Sequence, residues 1–188
     1  MKKHHRNLVR IIGGRWRSRQ ISFVDREDLR PTSDRLRETL FNWLQPRIHG
    51  ARCLDAFAGS GVLGFEALSR GASHVTFVDN NRDIIEHMRE QASVLEAEEA
   101  ETIQSQMPLP PGRLTQPFEI VFLDPPFEQP ELITESAQCL HTQHLLTPDA
   151  FVYIERHRRA PVPTLPETWT LHRETTAGQV TGALYTVN

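Results

Sequence analysis

At 188 residues with 38% hydrophobic composition, the chain has room for one sizeable core, and a single globular body is the expectation. No apolar run reaches the roughly 18 residues of a membrane span, and the polar start MKKHHRNLVR is not followed by a signal-peptide segment, so a cytoplasmic protein is expected. The net charge of −3 hides a segregation: residues 1–37 hold eleven Lys and Arg against four acids, a local +7, which leaves −10 for the remainder.

The basic stretch, residues 1–30, reads as an arm for a polyanion, most simply nucleic acid, ahead of a main domain at 31–188. A solvated tail would account for the same charge. Trp16 and Phe23 lie between the arginines, which favours an ordered arm able to stack on bases. Next, PTSDRLRETLFNWL (31–44) predicts a helix capped by Thr32 or Ser33, with Leu36, Leu40, Phe41 and Leu44 buried and Arg35 and Arg37 free to face a ligand.

From residue 51 short apolar runs alternate with amphipathic segments, the pattern of a parallel sheet flanked by helices. Candidate strands are 51–57, 74–79, 101–104, 118–123 and 150–155. Helices are expected after Gly61, with Gly71 as left-handed C-terminal cap, after Asn80, with Ile84, Met88, Ala92 and Leu95 on one face, and after Pro130, with Ile133, Ala137, Leu140 and His144 on one face. MPLPPGRLTQP (107–117) is a proline-rich connection. The segment 168–187 predicts an antiparallel hairpin turning at Ala177–Gly178. Cys53 and Cys139 have no metal spacing and read as packing residues. His141 and His144 have no third ligand in view, so no metal site is expected.

Gly59, Gly61 and Gly64 follow the first strand with GxGxxG spacing. Alone, this fits a nucleotide loop or a simple strand-to-helix turn. Asp79, about 20 residues on at the end of the next strand, is where a carboxylate takes both hydroxyls of an adenosine ribose. Dinucleotides and S-adenosylmethionine both use such a half-fold. Asp55, four residues before Gly59, favours the second: a carboxylate at the glycine turn repels a pyrophosphate and attracts the ammonium of a methionine moiety.

The strand FEIVFL (118–123) ends at Asp124, then Pro125, Pro126 and Phe127. Two prolines cannot extend a ladder, so the carboxylate is delivered on a stiff shelf beside the glycine loop. An exocyclic amino group on a base is a poor nucleophile. The Asp124 side chain and the Pro125 carbonyl can accept its two N–H bonds, with Phe127 stacked on the ring, and so stabilise the pyramidal nitrogen of methyl transfer. Taken singly, Asp124 reads as well as a helix cap and Phe127 as a core ring.

The stretches RIIGGRWRSRQI (10–21), RPTSDRLRETLFNWL (30–44), LDAFAGSGVLGFEALSRGA (54–72), FLDPPF (122–127) and WTLHRETTAGQV (169–180) closely resemble the bacterial small-subunit (16S) ribosomal RNA guanine-N2 methyltransferases. The resemblance runs nearly end to end. It implies an α/β Rossmann-like class I methyltransferase fold with a mostly parallel seven-stranded sheet, a C-terminal antiparallel hairpin and a small basic N-terminal extension. It also implies S-adenosylmethionine as donor and a 30S particle or assembly intermediate as substrate; nothing in the sequence demands more than a monomer. On this likeness the donor is held by Asp55, Phe57, Ala58, Gly59, Ser60, Gly61, Asp79 and Asn80. Gln106 stands where relatives offer Asn or Asp to the adenine, and MPLPPGRL replaces a helix. The guanine is held by Asp124, Pro125, Pro126 and Phe127, and RNA by Arg10, Arg15, Arg17, Arg19, Arg30 and Arg35. Without the resemblance, the residues do not decide between guanine N2 and adenine N6, on RNA or DNA, as the target. A dehydrogenase or a non-catalytic RNA-binding factor accounts for fewer of these residues.

Overall fold

The computed structural model describes residues 7–24 and 32–188. Along the chain run β1 (Asn7–Arg10), β2 (Gln20–Phe23), α1 (Asp34–Ile48), β3 (Arg52–Asp55), α2 (Val62–Ser69), β4 (His74–Asp79), α3 (Arg82–Leu95), β5 (Ala100–Gln104), β6 (Phe118–Leu123), α4 (Glu131–Thr142), β7 (Leu146–His157), β8 (Trp169–Ala177) and β9 (Val180–Val187). Seven strands form one sheet in the order β5-β4-β3-β6-β7-β9-β8. β3 to β7 pair in parallel, whereas β9 runs antiparallel to both β7 and β8. The β8–β9 hairpin turns through Gly178 at φ 61°, with Ala177 paired to Val180.

Strand order reverses between β3 and β6, which lie side by side with Asp55 opposite Phe122. In an open α/β sheet this is where the connections diverge to opposite faces and leave a crevice beyond the strand ends. One apolar layer takes Leu40, Phe41 and Leu44 of α1, Phe65 and Leu68 of α2, and Ile84 and Met88 of α3. The other takes Ile133, Ala137 and Leu140 of α4. Met107 and Leu109 are buried in that second layer, and the Leu109 carbonyl accepts from Gln143 Nε2 at 3.0 Å. The proline-rich connection is thus tied to α4. Cys53 is buried and Cys139 half-buried, both as free thiols.

Three expectations need correction. Arg37 does not face a ligand: it is fully buried, donating to Asp34 Oδ1 at 2.6 Å and the Arg10 carbonyl at 2.9 Å, and lying 3.7 Å from buried Glu66. A charge so enclosed persists only when paired. Trp16 and Phe23, expected to stack on bases, are 6% exposed and belong to the core. His144 is off the α4 face, because the helix ends at Thr142 and His144 takes φ 53° in the following turn.

β1 and β2 form a two-stranded antiparallel sheet that packs onto the body. The turn after β1 lies on the end of α2: Ile12 and Gly13 N–H donate to the two oxygens of Glu66, both at 2.8 Å, and Arg15 N–H donates to the Ser69 carbonyl at 2.7 Å. Gly14 has φ 74°, and a Cβ there would lie 1.8 Å from the Ser69 oxygen, so glycine is required at that point. His87 of α3 meets the Ser22 carbonyl at 2.7 Å. The expected boundary between arm and main domain, at 30–31, lies outside the described residues.

Candidate active site

A cavity of about 720 Å³ opens at the carboxyl ends of β3, β4, β6 and β7. Its lining includes Asp55, Phe57, Ala58, Gly59, Ser60, Asp79, Asn80 and Gln106 on one side and Asp124, Pro125, Pro126 and Phe127 on the other. The two motifs, 69 residues apart in sequence between Asp55 and Asp124, therefore share one space. β3 and β6 are neighbours at the switch point, and both motifs sit just past the ends of their strands.

The glycine turn is tightly held. Ala58 N–H donates to the Val78 carbonyl at 2.9 Å, and Gly61 N–H to the Ala58 carbonyl at 2.6 Å. Gly61, at φ 73°, is the residue that redirects the chain into α2. It is not among the residues that line the cavity, and its amide is used inside the turn. A Cβ at Gly64 would meet the Phe77 ring at 2.2 Å, so this glycine sets how closely α2 approaches β4.

Asp55 is 2% exposed and accepts from Gly64 N–H at 3.1 Å. Burial pushes its carboxyl well above the ordinary range; the Gly64 amide pulls it down, and Asp124 and Asp79 push it further up. Such a group favours a cationic partner. Asp79 accepts from Gly59 N–H at 3.0 Å and Asn81 N–H at 2.9 Å through different oxygens. Asn80 is exposed at the rim, and Asn81 caps α3. Gln106 is exposed just beyond β5.

On the opposite wall, Asp124 accepts from Thr32 Oγ1 at 3.3 Å. Its carboxyl is pushed up to about 7, by burial first, with the Thr32 hydroxyl working in the other direction. Ser33, not Thr32, caps α1, accepting from Leu36 N–H at 3.3 Å. Gln129 N–H closes a turn on the Pro126 carbonyl at 2.9 Å. This turn leaves Phe127 39% exposed, with its ring edge toward His157 at 6.0 Å.

Sequence reasoning missed Thr32 as an Asp124 partner and missed Glu155 altogether. Glu155 is 4% exposed, lines the same cavity, and accepts from Tyr153 Oη at 3.0 Å. The available signal was that FEIVFLD and AFVYIE are adjacent parallel strands that both reach an acid at the carboxyl edge. Among the described residues no group of three His, Cys, Asp or Glu is arranged to hold a metal ion, and no helix is long and apolar enough to cross a membrane.

The arginines expected to meet RNA are absent from the cavity lining. Arg10, Arg15, Arg17, Arg19 and Arg35 are exposed, and Arg30 lies outside the described residues. Arg15 pairs with Glu99 at 3.0 Å and lies 4.2 Å above the Trp16 ring, while Arg19 donates to the Val94 carbonyl at 3.2 Å. Trp16 therefore serves as a platform for an arginine.

The family model described as conserved hypothetical protein 95 matches residues 9–186. Ribosomal RNA small subunit methyltransferase D of Escherichia coli is 44% identical over 177 residues, spanning 94% of this chain and 89% of the relative. The protein of the same name from Haemophilus influenzae is 45% identical over 181 residues, spanning 94% and 93%. A solved Escherichia coli structure described as a methyltransferase superposes with a TM-score of 0.86 at 42% identity, covering 96% of this chain and 98% of that one. With near-complete coverage on both sides and the fold in common, the chain belongs to the conserved hypothetical protein 95 family, the family of the bacterial ribosomal RNA small subunit methyltransferases D.

Proposed function

We propose that this enzyme transfers a methyl group from S-adenosylmethionine to the exocyclic N2 of a guanine in small-subunit ribosomal RNA, within a 30S particle or an assembly intermediate in the cytoplasm. The observation that carries the reading is the shared cavity: a buried carboxylate at a glycine turn faces a rigid Asp-Pro-Pro-Phe shelf across the switch point.

The residues present fit the donor. Asp55, whose hydrogen-bond partner among the described residues is the Gly64 amide, suits an ammonium and opposes a pyrophosphate, which counts against a dinucleotide. Asp79 would take the ribose hydroxyls, Gln106 the adenine, and the amides at the start of α2 the methionine carboxylate. When bound, the donor supplies an electrophilic methyl carbon. Asp124 and the Pro125 carbonyl would accept the two N–H bonds of the amine and turn its lone pair away from the ring, while Phe127 holds the base plane. Fixed acceptors of this kind are worth on the order of 10²-fold in rate. The amine must shed a proton after transfer, and Asp124 is the adjacent carboxylate able to take it. The target base must leave its stack to enter the cavity, which suits a loop nucleotide. Arg10, Arg15, Arg17, Arg19, Arg30 and Arg35 would hold phosphates without reading sequence.

The test is isotope transfer from labelled S-adenosylmethionine to small subunits from cells lacking the gene, followed by digestion and mass analysis. One N2-methylguanosine is expected. Label on an adenine, or no transfer to subunits or to their assembly intermediates, would refute the assignment.

A further inference from the structure

The mechanism proposed above uses Asp124 and leaves Glu155 idle, yet the fold goes to some length to hold this second carboxylate beside the first. In the parallel register of β6 and β7, Phe122 lies opposite Tyr153 and Leu123 opposite Ile154. One residue further, at the carboxyl edge, Asp124 and Glu155 are neighbours. Both line the cavity, and the Thr32 hydroxyl is within hydrogen-bonding reach of both. Among the described residues no Lys, Arg or His forms an ion pair with Glu155. Its fixed partner is Tyr153, whose hydroxyl donates to Oε2 at 3.0 Å. That hydroxyl in turn needs Gly182, the cross-strand partner of Glu155 on β9, where a Cβ would lie 2.4 Å from Tyr153 Oη. A buried carboxylate kept this way, without a cation and turned to a cavity, is poised for a donor brought by the ligand.

Two acceptors side by side discriminate among RNA bases. Guanine presents N1–H next to the N2 amine, two donors on neighbouring ring positions N1 and C2. The amines of adenine and cytosine each adjoin a ring nitrogen acceptor, and the uracil N3–H lies between two carbonyls. Resting on the proposed N2 transfer, we infer that Glu155 is the specificity-determining residue of this site, accepting the N1–H of the target guanine while Asp124 and the Pro125 carbonyl take its N2 hydrogens. An acceptor at N1 meets a carboxylate there and is turned away, because both groups then lose their partners. Tyr153 and Gly182 act as positioning residues for Oε2.

The test uses small-subunit RNA carrying guanine, 2-aminopurine or adenine at the mapped target, reconstituted into subunits. 2-Aminopurine keeps the reacting amine, replaces N1–H by a lone pair and lacks O6, so the N1 contact is read from how Glu155→Gln changes its rate relative to that of guanine. Wild-type kcat/KM is expected to favour guanine over 2-aminopurine by ~10²-fold or more, with adenine inactive. In Glu155→Gln the Tyr153 hydroxyl holds the amide oxygen and turns the NH2 to the base. Guanine should then slow by ~10²-fold while 2-aminopurine is spared, so that the preference collapses. Wild-type enzyme that uses the two purines within a few-fold of each other, or a Glu155→Gln variant that slows both equally, would overturn the inference while leaving N2 transfer intact. Absence of N2-methylguanosine from the wild-type reaction would instead refute the proposed function, and this assignment with it.

Discussion

Asp124→Asn should make the protein more stable at neutral pH while it destroys activity. A carboxyl moved from 3.8 to about 7 carries roughly 4 kcal/mol against its ionised form in the folded state. Asp124 keeps some contact with solvent and shares its crowding with Glu155, so about 2 kcal/mol is the expected release. The folded value lies above the unfolded one, so the penalty is absent well below 3.8, grows as pH rises, and is complete above about 7. Asn is nearly the same shape and can still accept from Thr32. For a domain of this size about 2 kcal/mol corresponds to a rise of about 4–8 °C in Tm. Thermal unfolding of both proteins without donor, at pH 8 and pH 5, checks this: the gain should appear at pH 8 and fall to less than half at pH 5. Methyl transfer should drop by ~10²-fold or more. A variant less stable than wild type at pH 8, or a gain that ignores pH, would show that Asp124 is not a strained, desolvated carboxyl.

The same ionisation sets an acidic limb on catalysis: kcat/KM should rise with pH up to about 7 as Asp124 becomes able to accept, and a rate flat from pH 5.5 to 8 would contradict the acceptor role. Asp55→Asn should weaken S-adenosylmethionine binding on the order of 10- to 100-fold by calorimetry, with little change for S-adenosyl analogues that lack the amine. Arg17→Ala should weaken subunit binding and lower its salt slope by roughly 0.7 to 0.9, leaving donor affinity alone; unchanged binding and slope would refute phosphate contact. Gly64→Ala, whose Cβ would meet the Phe77 ring at 2.2 Å, should cost about 1–3 kcal/mol in denaturant unfolding.

What the sequence disclosed and what it withheld divide along a physical line. The glycine loop and the Asp-Pro-Pro-Phe shelf were legible as neighbours on one cavity because each is a local device, glycines at a strand end or prolines after one, and because strand ends converge at a switch point whatever the surrounding detail. Arg37 was misread because its partner Glu66 is 29 residues away, and a charge counts as surface until such a partner is known. Trp16 was misread in the same way, since an aromatic among arginines suggests a base platform until the helix it packs against is located. Thr32 stands in a capping position, and only the return of β6 beside it shows that its hydroxyl is used by Asp124. Glu155 closes an apolar run like many solubilising acids; what sets it apart is burial, which a single strand cannot report.

The arm and the glycine loop are fixed by one short element. α2 is buried along its whole length; its first turn leaves the glycine loop at Gly61, and its last turn receives the arm through Ser69 and Arg70. Glu66, midway, binds the Ile12 and Gly13 amides, Arg70 Nε at 2.7 Å and the Arg37 guanidinium. Arg70 also lies 5.0 Å over the Phe41 ring of α1. A buried cluster of this kind adds little net stability compared with apolar residues, but removing one member leaves the others unpaired at a cost of about 3–5 kcal/mol. It therefore tolerates one docking of the arm and few others. Arg15 and Arg17 follow directly from that docking, so their distance from the cavity at the sheet's carboxyl edge is set by the length of an eight-residue helix. On the proposed reading, a rigid spacing between phosphate contacts and pocket is what lets contacts blind to sequence deliver one particular nucleotide to Asp124.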